Sequence, residues 1–236
     1  MSGHSKWSKI KHKKGAADQK KGQLFSKLSK QITIAARDGG DPSMNFKLRL
    51  VMDQAKQVEM PKDNIQRAIG KATNADADQI ESITYEGYGP FGTAFIIEVA
   101  TDSRSRAASN IRHILEKFGG SLGQQNSVAW NFEKKGIILL KKSKNISDLE
   151  LRVIDSGAEN FEESVEGLIV YTSPTQLAQI QEKLEELGEK VEHSEIVMLP
   201  KNKLVLSDEQ KEKVQILFDT LSDDEDVINV HTSANL

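Results

Sequence analysis

Cysteine is absent from the 236 residues. That removes disulfides, thiolate metal sites and thiol nucleophiles from consideration, and it suits a reducing cytoplasm. No apolar run approaches the ~20 residues a membrane span needs, so no membrane partner is expected. The cationic start is followed by no apolar stretch and does not read as a secretory signal. Arginine, which transit peptides favour, first occurs at Arg37. Otherwise the composition is that of a globular protein, 37% hydrophobic and 28% charged, with enough apolar material for true cores.

The most telling shortage is local. The opening stretch "GHSKWSKIKHKKGAADQKKGQ" has one acid, Asp18, one aromatic, Trp7, and one aliphatic of any size, Ile10, against lysines at 6, 9, 11, 13, 14, 20 and 21. Such a segment cannot bury enough apolar surface to offset the entropy of ordering itself. A cationic tail of this kind needs an anionic partner. The charge asymmetry extends further. Residues 1–79 hold 16 Lys+Arg against 8 Asp+Glu, whereas residues 80–236 hold 16 against 27. One cationic working face on an otherwise acidic, soluble molecule is the expectation.

Residues 18–71 carry helical periodicity. Leu24, Leu28, Ile32 and Ala35 recur at three- or four-residue spacing, and "DGG" at 38–40 is a stop. Asp41-Pro42 reads as the cap and first turn of a second helix. Pro61 opens a third, with Ile65 and Ile69 facing inward and a stop near Gly70. From residue 80 the period becomes two. "SITYEGYGPFGTAFIIEVATD" predicts a hairpin, "SRSRAASNIRHILEKFGG" a helix capped by Ser103, and "SVAWNF" a strand with Val128, Trp130 and Phe132 on one face. A β-α-β-β-α-β series then occupies 134–204, the order of a ferredoxin-like unit. The last helix (capped by Ser207) and the last strand cannot form a domain alone, so they are expected to complete the sheet begun at residue 80. The expected fold is α+β in three parts: a basic tail and helical bundle (1–79), a middle α+β domain (80–133 plus 205–236), and a ferredoxin-like domain (134–204) inserted into it.

Two candidate contact surfaces follow. The first is phosphate contact by Lys6, Lys9, Lys11, His12, Lys13, Lys14, Lys20, Lys21, Lys27, Lys62 and Arg67. Counterion release would make such binding steeply salt-dependent. The alternative is a merely solvated terminus. Trp7 either stacks on an unpaired base, worth ~1–3 kcal/mol, or anchors the tail on the bundle. The second surface surrounds the "YEGYGPFG" turn: Tyr85, Tyr88 and Phe91, with Arg104, Arg106 and Arg112 nearby in sequence. Its bland reading is a hairpin tip, since it lacks both phosphate-loop spacings.

Enzyme readings find little support. The five histidines (4, 12, 113, 193 and 231) are scattered, and there is no Gly-x-Ser-x-Gly elbow. "SDDED" at 222–226 lacks the alternation of a calcium loop and reads as a solvated helix end. No cofactor or metal is expected. The ferredoxin-like segment, with 10 basic and 13 acidic residues, lacks the aromatic spacing of an RNA-recognition sheet.

"GHSKWSKIKHKKGAADQKKGQLFSKL", "AARDGGDP", "MPKDNIQRAI", "YEGYGPFG" and "WNFEKKG" together resemble the YebC/PmpR family, over essentially the whole chain and in the same order. That family includes the mitochondrial translational activator of cytochrome c oxidase. The resemblance implies the same three domains and a cytoplasmic, non-enzymatic, DNA-binding transcriptional regulator. A second view of the family puts it at the ribosome, bound to ribosomal RNA and relieving stalls at proline-rich stretches. A protein-interaction scaffold is a third reading. One departure stands out: the family turn reads Gly-Pro-Gly-Gly, and Phe91 replaces the inner glycine. Either Phe obstructs a backbone position that needs positive φ, or it adds a stacking group.

Overall fold

The computed structural model describes residues 17–72, 80–142 and 146–236, with side chains from Lys21 onward. The chain opens with three helices, α1 (Ala17–Ala36), α2 (Phe46–Gln57) and α3 (Lys62–Lys71). Their apolar stripes meet in one cluster containing Leu28, Ile32, Leu48, Ala55, Met60, Ile65 and Ala68. Two buried polar side chains tie the helices together. Thr33 on α1 donates to the Ala68 carbonyl on α3 at 2.9 Å. Asn45 donates to the Ala35 and Gly39 carbonyls while its own carbonyl caps α2 through Leu48 N–H.

Asn45 also corrects the expected start of α2. Asp41 does not cap a helix. Its carboxylate accepts from both the backbone and the hydroxyl of Ser43, which closes a turn over 41–44. The helix begins after Asn45, which caps α2 and satisfies carbonyls at the end of α1 at once.

Next come β1 (Glu81–Tyr88), a short 3₁₀ turn (Pro90–Gly92), β2 (Ala94–Thr101), α4 (Arg104–Lys117), β3 (Ser121–Leu122) and a second 3₁₀ turn (Ala129–Asn131). At the far end of the chain, α7 (Asp208–Asp223) and β8 (Val227–Thr232) return to this region. The sheet order is β3-β1-β2-β8, antiparallel at each pairing. Phe95, Ile97 and Val99 on β2 alternate toward Ala107, Ile111 and Leu115 of α4 and Val214, Leu217, Phe218 and Leu221 of α7. The last helix and strand therefore complete the first sheet. A capping box at Ser207 and Gln210 starts α7.

Between these halves lie β4 (Phe132–Lys141), α5 (Ile146–Ser156), β5 (Asn160–Glu163), β6 (Gly167–Thr172), α6 (Leu177–Glu186) and β7 (Val191–Pro200). The sheet order β5-β6-β4-β7 is the ferredoxin-like arrangement. Glu133–Leu199 form one compact unit, and the described residues up to Phe132 together with Pro200–Leu236 form another. The fold is α+β, with the ferredoxin-like unit inserted in the middle domain.

The expected strand "SVAWNF" is the clearest local error. Residues 129–131 are 3₁₀ and β4 begins only at Phe132. Val128 and Phe132 are buried as expected, but Trp130 is 66% exposed. The backbone N–H groups that a strand would offer a neighbour are instead bound to a carboxylate.

Candidate nucleic-acid interface

Of the residues assigned to the first surface, Lys6, Trp7, Lys9, Lys11, His12, Lys13 and Lys14 lie outside the described residues, as does the Lys20 side chain. Lys62 and Arg67 are exposed on α3, together with Lys71. Lys21 is exposed too, with its ammonium 3.5 Å from Glu59 and 5.7 Å from the Phe25 ring centroid. Such an exposed pair is weak and leaves the lysine exchangeable.

Lys27 does not belong with them. It is 5% exposed, and its ammonium donates to the Ser222 carbonyl at 2.8 Å, at the C-terminal end of α7. A cation there completes an orphan carbonyl and suits the helix dipole. It is turned into the fold and away from any phosphate outside.

One turn of helix further along, Lys30 meets the second residue that sequence reasoning misplaced. Asp226, the end of the supposedly solvated "SDDED", is 2% exposed. Its carboxylate accepts from Lys30 at 2.7 Å, Arg106 at 2.9 Å and Thr101 at 3.1 Å. Arg106 also reaches Asp102 at 2.7 Å. Four elements thus converge on one charge: α1, the end of β2, α4 and the turn before β8. Burial is the largest single influence on Asp226 and would raise its pKa. The hydrogen bonds from Lys30 and Arg106, with the Lys30 charge and the Thr101 hydrogen bond, together outweigh it and hold the carboxyl below its ordinary value. Arg106 is held more firmly protonated, chiefly by its hydrogen bonds to Asp226 and Asp102.

The second surface is likewise divided by the structure. Arg106 is committed to this knot. Tyr85 packs against the middle-domain core and donates its hydroxyl to the Arg104 carbonyl at 3.1 Å; burial chiefly raises its pKa. Arg104 lies 3.8 Å from Glu81, and Arg112 is exposed on α4. Tyr88 and Phe91 are 40% and 43% exposed. Phe91 occupies the left-handed region, with φ 62° and ψ 21°. The position therefore does use the conformation that favours glycine, and Phe adopts it at a cost of ~1–2 kcal/mol. Lys213 of α7 sits 6.0 Å from the centre of its ring.

Sequence reasoning also missed Glu86 and Trp130. Glu86 lies on β1, 7% exposed, and its two oxygens accept from the backbone N–H groups of Asn126 (2.7 Å), Val128 (2.8 Å) and Ala129 (2.8 Å). A glutamate in a hairpin motif that alternates with aromatics signals only a strand position. Nothing local marks it as a buried loop anchor. Trp130 donates its indole N–H to the Ser127 carbonyl at 3.0 Å, and Tyr88 donates its hydroxyl to that same oxygen at 2.9 Å. Two exposed aromatics thus stand beside one carbonyl.

No helix among the described residues is long and apolar enough to cross a membrane, and among them no group of three or more His, Asp or Glu is arranged to hold a metal ion.

Comparison with known proteins covers the whole chain. Residues 5–75 match the model of the TACO1/YebC protein N-terminal domain, and residues 80–234 that of the TACO1/YebC second and third domain. A probable transcriptional regulatory protein of Thermoanaerobacter pseudethanolicus is 45% identical over 240 residues, covering 100% of this chain and 98% of the relative. One from Enterococcus faecalis is 44% identical over 239 residues, covering 99% of each. Among solved structures, a conserved hypothetical protein from Aquifex aeolicus matches with a TM-score of 0.86 at 37% identity, over 97% of this chain and 96% of that one. The order of segments, the two sheets and the matched signatures agree: the chain belongs to the TACO1/YebC family.

Proposed function

We propose that this protein is a non-enzymatic nucleic-acid-binding regulator that acts on transcription by binding double-stranded DNA in the cytoplasm. The observation that carries the reading is the segregation of charge. An excess of cations in residues 1–79 is set against an excess of acids in the remainder, the pattern of a polyanion-binding face. The names of full-length relatives, probable transcriptional regulatory proteins, support the same direction. In this reading the tail and the exposed Lys21, Lys62 and Arg67 contact phosphates. The middle and inserted domains, residues 80–133 with 205–236 and residues 134–204, contribute shape and protein contacts. Phosphate contact by itself conveys little sequence preference, so binding is expected to be salt-sensitive and weakly selective.

The test is a salt titration of duplex DNA binding by the full chain and by a variant carrying Lys9→Gln, Lys11→Gln, Lys13→Gln and Lys14→Gln. The variant should bind more weakly, and its log-affinity against log-salt slope should flatten by about 0.9 for each lost duplex contact. An unchanged slope would remove the tail from the interface. Co-sedimentation with ribosomes that is abolished by ribonuclease, without duplex binding, would move the same cationic surface onto ribosomal RNA.

A further inference from the structure

The loop between α4 and β4 is built with more care than a connection requires. Glu86 buries a carboxylate to hold three of its N–H groups. Asn126 takes a positive φ of 66°. At Gly120 an added Cβ would lie 2.2 Å from the Tyr88 carbonyl, and at Gly87 it would lie 2.9 Å from the Ser121 carbonyl. The loop is therefore pressed against the end of β1 backbone to backbone. Burying a charge without a countercharge is costly, and only a full set of donors makes it tolerable. What this scaffold presents to water is Tyr88 and Trp130, both hydrogen-bonded to the Ser127 carbonyl. With the polar atom of each ring already engaged, the apolar ring surface is left in solvent.

The surroundings indicate the ligand. Residues 119–132 contain no charged side chain, but Gln124, Gln125 and Asn126 expose three amides. Residues 200–206 contain two exposed lysines and no acid. Of these, Lys201 is anchored to the loop: its ammonium donates to the Trp130 carbonyl at 3.0 Å and its N–H to the Asn131 carbonyl at 2.7 Å. Aromatic rings to stack on, amides that both donate and accept, and a cation beside them are the means by which proteins hold unpaired nucleobases.

We propose that Trp130 and Tyr88 form a stacking site for an unpaired base of single-stranded nucleic acid, with Lys201 beside the adjoining phosphate and the Gln124–Asn126 amides beside the base edge. The site draws on none of the N-terminal cations, and it rests on the nucleic-acid reading of the preceding section. It gives the molecule a way to distinguish an opened strand from a duplex, which phosphate contacts alone do not supply.

The test uses the full-length protein. Trp7→Phe leaves Trp130 as the remaining tryptophan of the two in the chain. This variant is titrated with a 12-nucleotide oligoadenylate and, separately, with a duplex of the same length. Indole fluorescence reports stacking, and anisotropy of a labelled oligonucleotide reports binding. Trp130 emission should be quenched by the single strand. Trp130→Ala should lower single-strand affinity about 5- to 150-fold with little change for duplex, and Trp130→Phe should recover most of the loss. Thermal midpoints of the variants establish that they fold. Single-strand affinity unchanged in a folded Trp130→Ala variant overturns the proposal. So does unresponsive indole emission while anisotropy reports binding. Tail-dependent duplex binding with a silent Trp130 overturns this proposal alone; failure of the wild-type chain, with Trp7 intact, to bind either strand form by anisotropy overturns both readings.

Discussion

Glu86 and Asp226 are two carboxylates removed from water, 7% and 2% exposed, and they are satisfied by opposite means. Glu86 accepts from three neutral backbone N–H groups of one loop. Asp226 accepts from Lys30, Arg106 and Thr101, which come from three different elements. The first arrangement orders a short segment at the surface. The second joins the N-terminal helix to the middle sheet, so the helix that follows the cationic tail is fixed to the body of the protein through charge. Local hydrogen bonding orders a surface loop, and a long-range ionic tie serves the placement of a whole element.

Breaking the ionic tie should have the larger effect. Asp226→Asn leaves Lys30 and Arg106 facing a neutral group, and removal of one partner from a buried pair costs about 3 kcal/mol; chemical denaturation measures it. The pH dependence follows from the same carboxyl. Its folded pKa lies below the ordinary value, so its contribution is complete above the unfolded value of about 3.9 and is lost as pH falls through the folded one. Wild-type protein should therefore lose stability below about pH 4 more steeply than Asp226→Asn. Equal slopes would mean that the carboxylate carries no net stabilisation.

Glu86→Gln should cost less, about 1–3 kcal/mol, because one amide oxygen cannot replace two carboxylate oxygens and at least one buried N–H is left unpaired. The effect should be local: faster hydrogen exchange at Asn126, Val128 and Ala129, with the bundle amides unchanged. Exchange that spreads into α1 would show that the loop and the ionic tie are one cooperative unit. Smallest of all, Lys27→Gln should cost about 1 kcal/mol and leave the salt slope of DNA binding as in wild type. A flatter slope would return Lys27 to the interface.

The fate of particular residues shows where the sequence is legible. Leu28, Ile32 and Ile65 fall in the core that their spacing predicts, because the helical period is a property of neighbours in the chain. The alternation in "SVAWNF" misled at Trp130, because a carboxylate more than forty positions upstream claims the N–H groups that a strand would have used. Lys27 carries the same lysine signal as Lys21, yet one is buried on a carbonyl 195 positions away and the other stands in solvent. Asp226 sits in an acidic run that composition assigns to water.

By itself the sequence determined the succession of elements apart from the strand expected at "SVAWNF", the insertion of the ferredoxin-like unit, the charge imbalance between its first third and the remainder, and the family. The first three are encoded in short-range period, local turn chemistry and residue counts, and the family is read from the resemblance of its motifs. Tertiary structure alone decided which lysines and acids face solvent and that Tyr88 and Trp130 meet beside one carbonyl. Those outcomes depend on hydrogen bonds between residues far apart in the chain, and the energy of a buried charge is set by the partners that folding brings to it.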